Sequence, residues 1–184
     1  MCVVAPGAAR VGNRDQSSSK GSNVKPTDAL DSYLSDHLAG AAAGVEIARR
    51  IASAYEGQPA ECELRQLAVD IETDRKTLVA LRERLGFGRR PLKAAAGWMG
   101  EKVTRLKLSD RVTGDHDLTC LMELETLGVG IAGKRALWRS LSATLEPEDV
   151  AGFDFGALVD RAEQQGALVE RTRLDAARAA LARC

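Results

Sequence analysis

The sequence predicts an all-α fold, an antiparallel up-down-up-down bundle of four helices with a fifth, C-terminal helix packed on it. Apolar residues recur at alternating steps of four and three over long stretches, which is the spacing of one face of an α-helix. No segment alternates apolar and polar residues with period two, as a half-buried strand does. The helical stretches are joined by short polar links, and short links favour antiparallel neighbours.

The boundaries of the predicted helices follow from proline, glycine and polar links. The first helix begins after Pro26, where the composition changes, and the second ends at Gly86, because glycine permits a C-terminal turn. Pro91 opens the third helix, at a position that favours proline. Polar links at 109–117 and 146–149 flank the fourth helix, and the fifth follows the second link. The inward stripe of the third helix consists of Leu92, Ala96, Met99, Val103 and Leu106.

Composition predicts one soluble globular domain. The chain has 184 residues, of which 45% are hydrophobic and 28% are charged, and such values are typical of a single domain with one core. Gly, Ser and Asn dominate the N-terminal residues, which therefore bury too little apolar surface to offset the entropy lost on ordering. We predict a disordered tail over 1–26 and one helical-bundle domain over 27–184. Lys plus Arg (26) equals Asp plus Glu (26), so no overall field attracts nucleic acid or a membrane.

The cysteines and the N-terminus predict a cytoplasmic protein. Cys2, Cys62, Cys120 and Cys184 form neither a CxxC motif nor a Cys/His ladder, so they frame no zinc site. The segment 1–9 lacks the charged and apolar regions of a secretory signal. We therefore expect a reducing compartment and free thiols. No apolar run reaches the length of a membrane span.

The first and fourth predicted helices are rich in alanine and glycine. The first reads His37-Leu-Ala-Gly-Ala-Ala-Ala-Gly-Val-Glu46, and the fourth reads Leu127-Gly-Val-Gly-Ile-Ala-Gly-Lys-Arg-Ala-Leu-Trp-Arg139. Together with the helical pattern over about residues 27–181, these stretches resemble the ferritin-like superfamily. The pattern is closest to actinobacterial ferritin-like proteins of unassigned activity. The resemblance implies the bundle fold more than any chemistry, because one fold hosts many functions.

Metal ligands of the ferritin-like type are missing from the sequence. Metal-binding members use a Glu from each of two helices and a Glu-x-x-His motif from each of the other two. This chain has no Glu-x-x-His, and its histidines are His37 and His116. At about 100° per residue, Glu46 lies half a turn from His37, and Glu72 and Glu101 lie off their stripes. We therefore predict solvated glutamates, no di-metal site, no cofactor and no enzymatic activity.

Several polar residues nevertheless lie on or near the inward stripes. Buried charges must be paired, or they cost several kcal/mol. If the helices fold as hairpins, Asp74 comes to the height of Lys102, so we predict a pair between them. We interpret the set as a structural salt-bridge layer, with a binding or catalytic pocket as the alternative. The predicted layer consists of His37, Asp74, Arg75, Lys102 and Arg135.

One segment, 82–111, is strongly basic, with nine basic residues against three acidic ones and a net charge of +6. Arg89, Arg90 and Lys93 surround the start of the third predicted helix, where backbone amides and the helix dipole favour an anion. These residues are candidates for binding a phosphate, an acidic partner or a nucleic-acid backbone. Few aromatic residues lie nearby, so we do not expect a single-strand binding platform. The simpler interpretation is a solvated basic face.

Three hypotheses for function follow. The leading one is a non-enzymatic ferritin-like bundle with a scaffold or protein-interaction role, which self-associates as a homodimer and binds an unidentified protein partner. The first alternative is a divergent metal-binding or oxidase bundle that uses Asp74, His37 and Glu125. The second is an anion or nucleic-acid binder that uses the basic segment 82–111.

Overall fold

The computed structural model describes residues 26–87 and 115–182. In this part of the chain the all-α prediction is confirmed, because four helices and no strand are present. None of the described helices is long and apolar enough to cross a membrane. The predicted third helix and residues 1–25 of the predicted tail lie outside the described residues. The helices are α1 (Pro26–Ala54), α2 (Glu61–Arg84), α3 (His116–Thr144) and α4 (Phe155–Leu181).

Local sequence signals fix several helix ends. The Asp115 side chain accepts a hydrogen bond from the backbone N–H of Leu118 and so caps α3. Asp154 caps α4 in the same way, as expected of aspartate at this position. At the end of α2, Gly86 has a φ of +81°, and Phe87 donates its N–H to the carbonyl of Arg82. This is the Schellman geometry, and it ends α2 where the sequence predicts.

The helices form two antiparallel pairs. Asp31, near the start of α1, lies 2.6 Å from Arg82, near the end of α2. Likewise, Glu125 near the start of α3 lies 3.7 Å from Arg173 near the end of α4. The two helices within each pair are therefore antiparallel. Among the described elements, α3 and α4 make the most extensive helix contact.

Contacts between the two pairs fix the remaining directions. Arg50, near the end of α1, lies 2.6 Å from Glu123, near the start of α3, so these helices are antiparallel. Glu63 of α2 lies 3.0 Å from Arg171 of α4, which makes that pair antiparallel too. It follows that α2 and α3 run in the same direction. The end of α2 and the start of α3 therefore lie at opposite ends of the described helices.

The predicted fifth, C-terminal helix corresponds to α4, which contributes to the described core. Ala162 and Val169 are both buried, and α3 packs along α4. The four-helix bundle on which this helix was predicted to pack includes the predicted third helix, which lies outside the described residues. Periodicity identifies the apolar face of a helix but says nothing of which helix covers that face.

Two apolar clusters form the core. The first, which we call the Ile71 cluster, contains residues of all four helices, and so does the second, which we call the Trp138 cluster. Asp74 is buried between Ile71 and Leu78, which belong to different clusters. A polar layer therefore separates the two clusters. Members of the Ile71 cluster include Val45, Ile51, Ile71, Leu124 and Val169, and members of the Trp138 cluster include Leu34, Leu78, Trp138, Leu141 and Phe155.

Candidate functional site

The polar layer is built from three helices. Asp74 of α2 is only 2% exposed, and Lys134 of α3 reaches it from the side. Arg161 and Gln165 come from α4, where a separation of four residues places two side chains on one face. Asp74 and Gln165 lie among buried apolar residues of their own helices, so both side chains point inward. The four residues, Asp74, Lys134, Arg161 and Gln165, are here called the Asp74 cluster.

Within the Asp74 cluster, each carboxylate oxygen has a positive neighbour. The Nζ atom of Lys134 lies 2.5 Å from Asp74 Oδ2 and also donates to the Gln165 side-chain oxygen. Gln165 donates its Nε2 amide to Asp74 Oδ2 over 3.1 Å. The Nη2 atom of Arg161 lies 2.7 Å from Asp74 Oδ1, an ion pair without hydrogen-bond geometry. Two cations thus share one buried carboxylate.

The electrostatics of the Asp74 cluster favour charge compensation. Burial lowers the pKa of Lys134 most, while the Asp74 carboxylate raises it in opposition, and Arg161 lowers it further. A lysine with a lowered pKa can act as a nucleophile in some enzymes. Here, however, the ammonium donates to both Asp74 and Gln165. The arrangement therefore suits a structural ion pair in the core.

Two residues of the predicted layer lie at the edge of the core instead. Arg75 is partly exposed and lies 3.7 Å from Glu72 on its own helix. Arg135 is also partly exposed and lies 3.7 Å from Glu163 of α4. Their side chains are long enough to reach solvent from a position beside an apolar stripe, as arginine commonly does. Within the described residues, neither arginine forms an ion pair with Asp74.

Of the other predicted members, His37 is half-buried, and Lys102 lies outside the described residues. The ring of His37 packs edge-on against Tyr33, with 4.6 Å between the centroids. Burial lowers the pKa of His37, and the neighbouring Asp36 opposes this effect. The structure therefore brings one predicted residue, Asp74, into the cluster, where its described cationic partners are Lys134 and Arg161. The predicted pair of Asp74 with Lys102 lies outside the described residues.

Sequence reasoning missed the other three members of the Asp74 cluster. Gln165 lies three residues after Ala162 and four before Val169, at the spacing of one helix face, so burial of this polar side chain could be predicted from the sequence. Lys134 directly precedes the predicted Arg135, and Arg161 directly precedes the buried Ala162. Their long side chains bend inward from flanking positions. A helical wheel records only where the Cα–Cβ bond points, so it cannot identify them.

A second buried acid lies near the start of α3. Glu123 accepts a hydrogen bond from Arg50 Nε over 2.6 Å. Nearby, burial raises the pKa of Cys120, and burial together with Cys120 raises the pKa of Tyr55. Glu123, which was not among the glutamates assigned to the solvated face, is buried against Arg50. Cys120 is a free buried thiol, and Cys62 is a free exposed one.

The residues of the metal-binding alternative do not converge in the described part of the chain. Residues 26–87 and 115–182 contain no group of three or more His, Cys, Asp or Glu side chains that could hold a metal ion. Asp74 contacts Lys134, and His37 packs on Tyr33. Glu125 is exposed and lies 3.7 Å from Arg173. Glu46 is exposed, as the sequence predicts.

Of the basic segment 82–111, residues 82–87 are among those that the structure describes. Arg82 is buried and pairs with Asp31, so it links α2 to α1 and is not part of an exposed basic surface. Arg84 donates to the backbone carbonyls of Glu148 and Asp149, over 3.3 and 3.4 Å respectively. These contacts join the end of α2 to the link that follows α3. The predicted anion-binding residues Arg89, Arg90 and Lys93 lie outside the described residues.

A surface groove also lies between α3 and α4, with a volume of about 450 Å³. Small side chains form much of its wall and offer few groups that could bind a ligand. Its charged members, Arg135 and Glu163, pair with each other. The groove is lined by Gly128, Ile131, Ala132, Arg135, Ala162, Glu163, Gly166 and Ala167.

Comparison of the chain with protein-family models, with curated proteins and with solved structures gives no match.

Proposed function

We propose that this protein is a non-enzymatic, metal-free bundle of the ferritin-like type, with a scaffold or protein-interaction role and self-association as a homodimer. The observation that carries the proposal is the Asp74 cluster. Its buried carboxylate contacts two cationic side chains, Lys134 and Arg161. Ion pairs in the described core thus connect α2 with α3 and α4.

The directions of the helices support the ferritin-like assignment. The described helices form two antiparallel pairs. The α2 helix is antiparallel to α4, as the Glu63–Arg171 contact shows, and α4 is antiparallel to α3, as the Glu125–Arg173 contact shows, so α2 and α3 run in the same direction. A bundle of this kind needs one long crossover connection between its two pairs, and ferritin-like folds have one. We therefore interpret residues 88–114 as that connection.

Charge supports the absence of a metal centre. In metal-binding bundles, carboxylates converge on the ions from all sides. Here a divalent cation beside Asp74 would meet the Lys134 ammonium and the Arg161 guanidinium. Binding would require both cations to leave the carboxylate, and a buried charge without its partner is costly. The lysine therefore neutralises Asp74 where a metal-binding bundle would use an ion.

Self-association is supported by apolar side chains at the end of α4. Leu174 and Leu181 are seven residues apart, so they share one face of the helix, and both are exposed. Adjacent exposed apolar side chains are common at protein interfaces. Most soluble oligomers are symmetric, with twofold dimers the commonest kind. We therefore propose a twofold homodimer.

One preparation tests both parts of the proposal. Full-length protein, purified without chelator, is analysed for iron, manganese and zinc by mass spectrometry and for mass by sedimentation velocity. We expect far less than one metal ion per chain and a species of twice the 19.7 kDa chain mass. The Asp74→Ala variant serves as the matched control. Near-stoichiometric metal that Asp74→Ala abolishes would replace this proposal with the oxidase alternative, and a monomer would remove the homodimer.

A further inference from the structure

The direction of the helices imposes a long return path on the chain between α2 and α3. Arg84, at the end of α2, contacts the link that follows α3. The start of α3 lies instead beside the end of α1, where Glu123 meets Arg50. The two ends of segment 88–114 thus lie at opposite ends of the molecule. If it were helical throughout, a segment of this length would span about 40 Å at about 1.5 Å per residue, close to the length of α3.

The outward side of α3 carries an uncharged stripe over several turns. Its members recur at steps of four and three, so they share one face. Val129, near the middle, is 72% exposed, and Met122 is also exposed. The opposite face of α3 is buried in both core clusters. Apolar residues on two opposite faces of a helix are typical of a helix that packs against other elements on both faces. This outer α3 stripe consists of Met122, Thr126, Val129, Gly133, Ala136 and Ser140.

We propose that segment 88–114 covers the outer α3 stripe. Its predicted apolar positions, from Leu92 to Leu106, recur at steps of four and three, the same spacing as the stripe. Because the segment leads directly into α3, the two meet in opposite directions, as neighbouring helices joined by a short link do. The glycine and alanine of the stripe, Gly133 and Ala136, leave room for a close approach. This inference depends on the helix directions and not on the proposed function.

Replacing Val129 with aspartate in the full-length chain tests the proposal. If the stripe is covered, the carboxylate is buried without a partner, and we expect the melting temperature to fall by about 5 °C or more while the sedimentation mass stays unchanged. Val69→Asp is the matched control, because Val69 lies on the outward side of α2 and is 58% exposed. We expect that variant to melt within about 1 °C of the wild type. Val129→Ser provides a milder change if Val129→Asp does not fold.

A second substitution identifies what covers the stripe. Met99 lies in the middle of the predicted apolar positions of the segment. We expect Met99→Asp to lower the melting temperature as well, and the double variant to lose less than the sum of the two losses, since neighbouring sites couple. Additive losses would place the segment elsewhere. A fall in sedimentation mass for Val129→Asp would assign the stripe to a second copy of the chain. A melting temperature equal to that of Val69→Asp would leave the stripe in solvent. Each of these three results overturns the proposal.

Discussion

Asp74 and Glu123 are both buried acids, yet they differ in the number of side chains that neutralise them. Asp74 contacts Lys134, Arg161 and Gln165, whereas the described ion pair of Glu123 is with Arg50. Asp74 is also the more deeply buried, with its side chain 2% exposed against 11% for Glu123. The more completely a carboxylate is removed from water, the more partners it needs to remain charged.

Their positions explain the difference. Asp74 lies between the Ile71 and Trp138 clusters, in the middle of the described core. Glu123 lies near the start of α3, and its partner Arg50 keeps a third of its side chain exposed, at 33%. Water can therefore take over part of the hydration of Arg50 if the pair is broken. Of the partners of Asp74, Lys134 has less access to water, with 15% of its side chain exposed, whereas Arg161 is about as exposed as Arg50, at 35%. The two carboxylates should therefore differ in their effect on stability mainly through Lys134 and through the deeper burial of Asp74.

Asp74→Ala should have the largest effect. The substitution removes the carboxylate from the largely buried ammonium of Lys134 and from the partly exposed guanidinium of Arg161, so we expect the free energy of unfolding to fall by about 3 to 5 kcal/mol. Chemical denaturation followed by circular dichroism measures this loss. Asp160→Ala, an exposed acid on α4, is the matched control and should change stability by less than about 0.5 kcal/mol. An unchanged midpoint for Asp74→Ala would show that the Asp74 cluster does not stabilise the core.

Glu123→Ala should cost less, because its partner Arg50 is more exposed than Lys134, the more buried partner of Asp74. We expect a loss of about 2 kcal/mol, the range of a hydrogen bond that involves charged groups. Glu46→Ala removes an exposed glutamate that pairs with Arg49, and surface pairs of this kind contribute less than about 1 kcal/mol. The same denaturation experiment compares the variants. A loss as large as that of Asp74→Ala would remove the distinction between the two buried acids.

The smallest effect concerns His37, a half-buried ionisable group whose pKa is lowered by burial despite the neighbouring Asp36. The unfolded chain, with an ordinary histidine pKa of about 6.5, binds a proton at a pH where the folded protein does not. Stability should therefore fall as pH decreases from about 6.5 toward the lowered pKa. His37→Gln should flatten this dependence, measured as denaturation midpoint against pH. His116→Gln, which changes an exposed histidine, should leave it unaltered; equal slopes for both variants would contradict the assignment.

Much of the local structure was predictable from the sequence. The aspartates before α3 and α4 and the glycine after α2 act through hydrogen bonds within a few residues, so their effect is readable from local order. Asp74 was also predictable, because one acid among leucines and isoleucines at helical spacing must point inward. By contrast, its cations come from residues 60 and 87 positions further along the chain, at Lys134 and Arg161. No local pattern relates residues at such separations.

By itself, the sequence determined that the described chain is helical, where several of its helices end, and that an acid faces the core. Tertiary structure decided that α4 is a core helix, that α2 and α3 run in the same direction, and that Lys134 and Arg161 neutralise Asp74. The reason is physical. Helix formation and capping depend on groups a few residues apart, whereas the choice of a packing partner depends on the shape and charge of surfaces that meet only when the whole chain is folded.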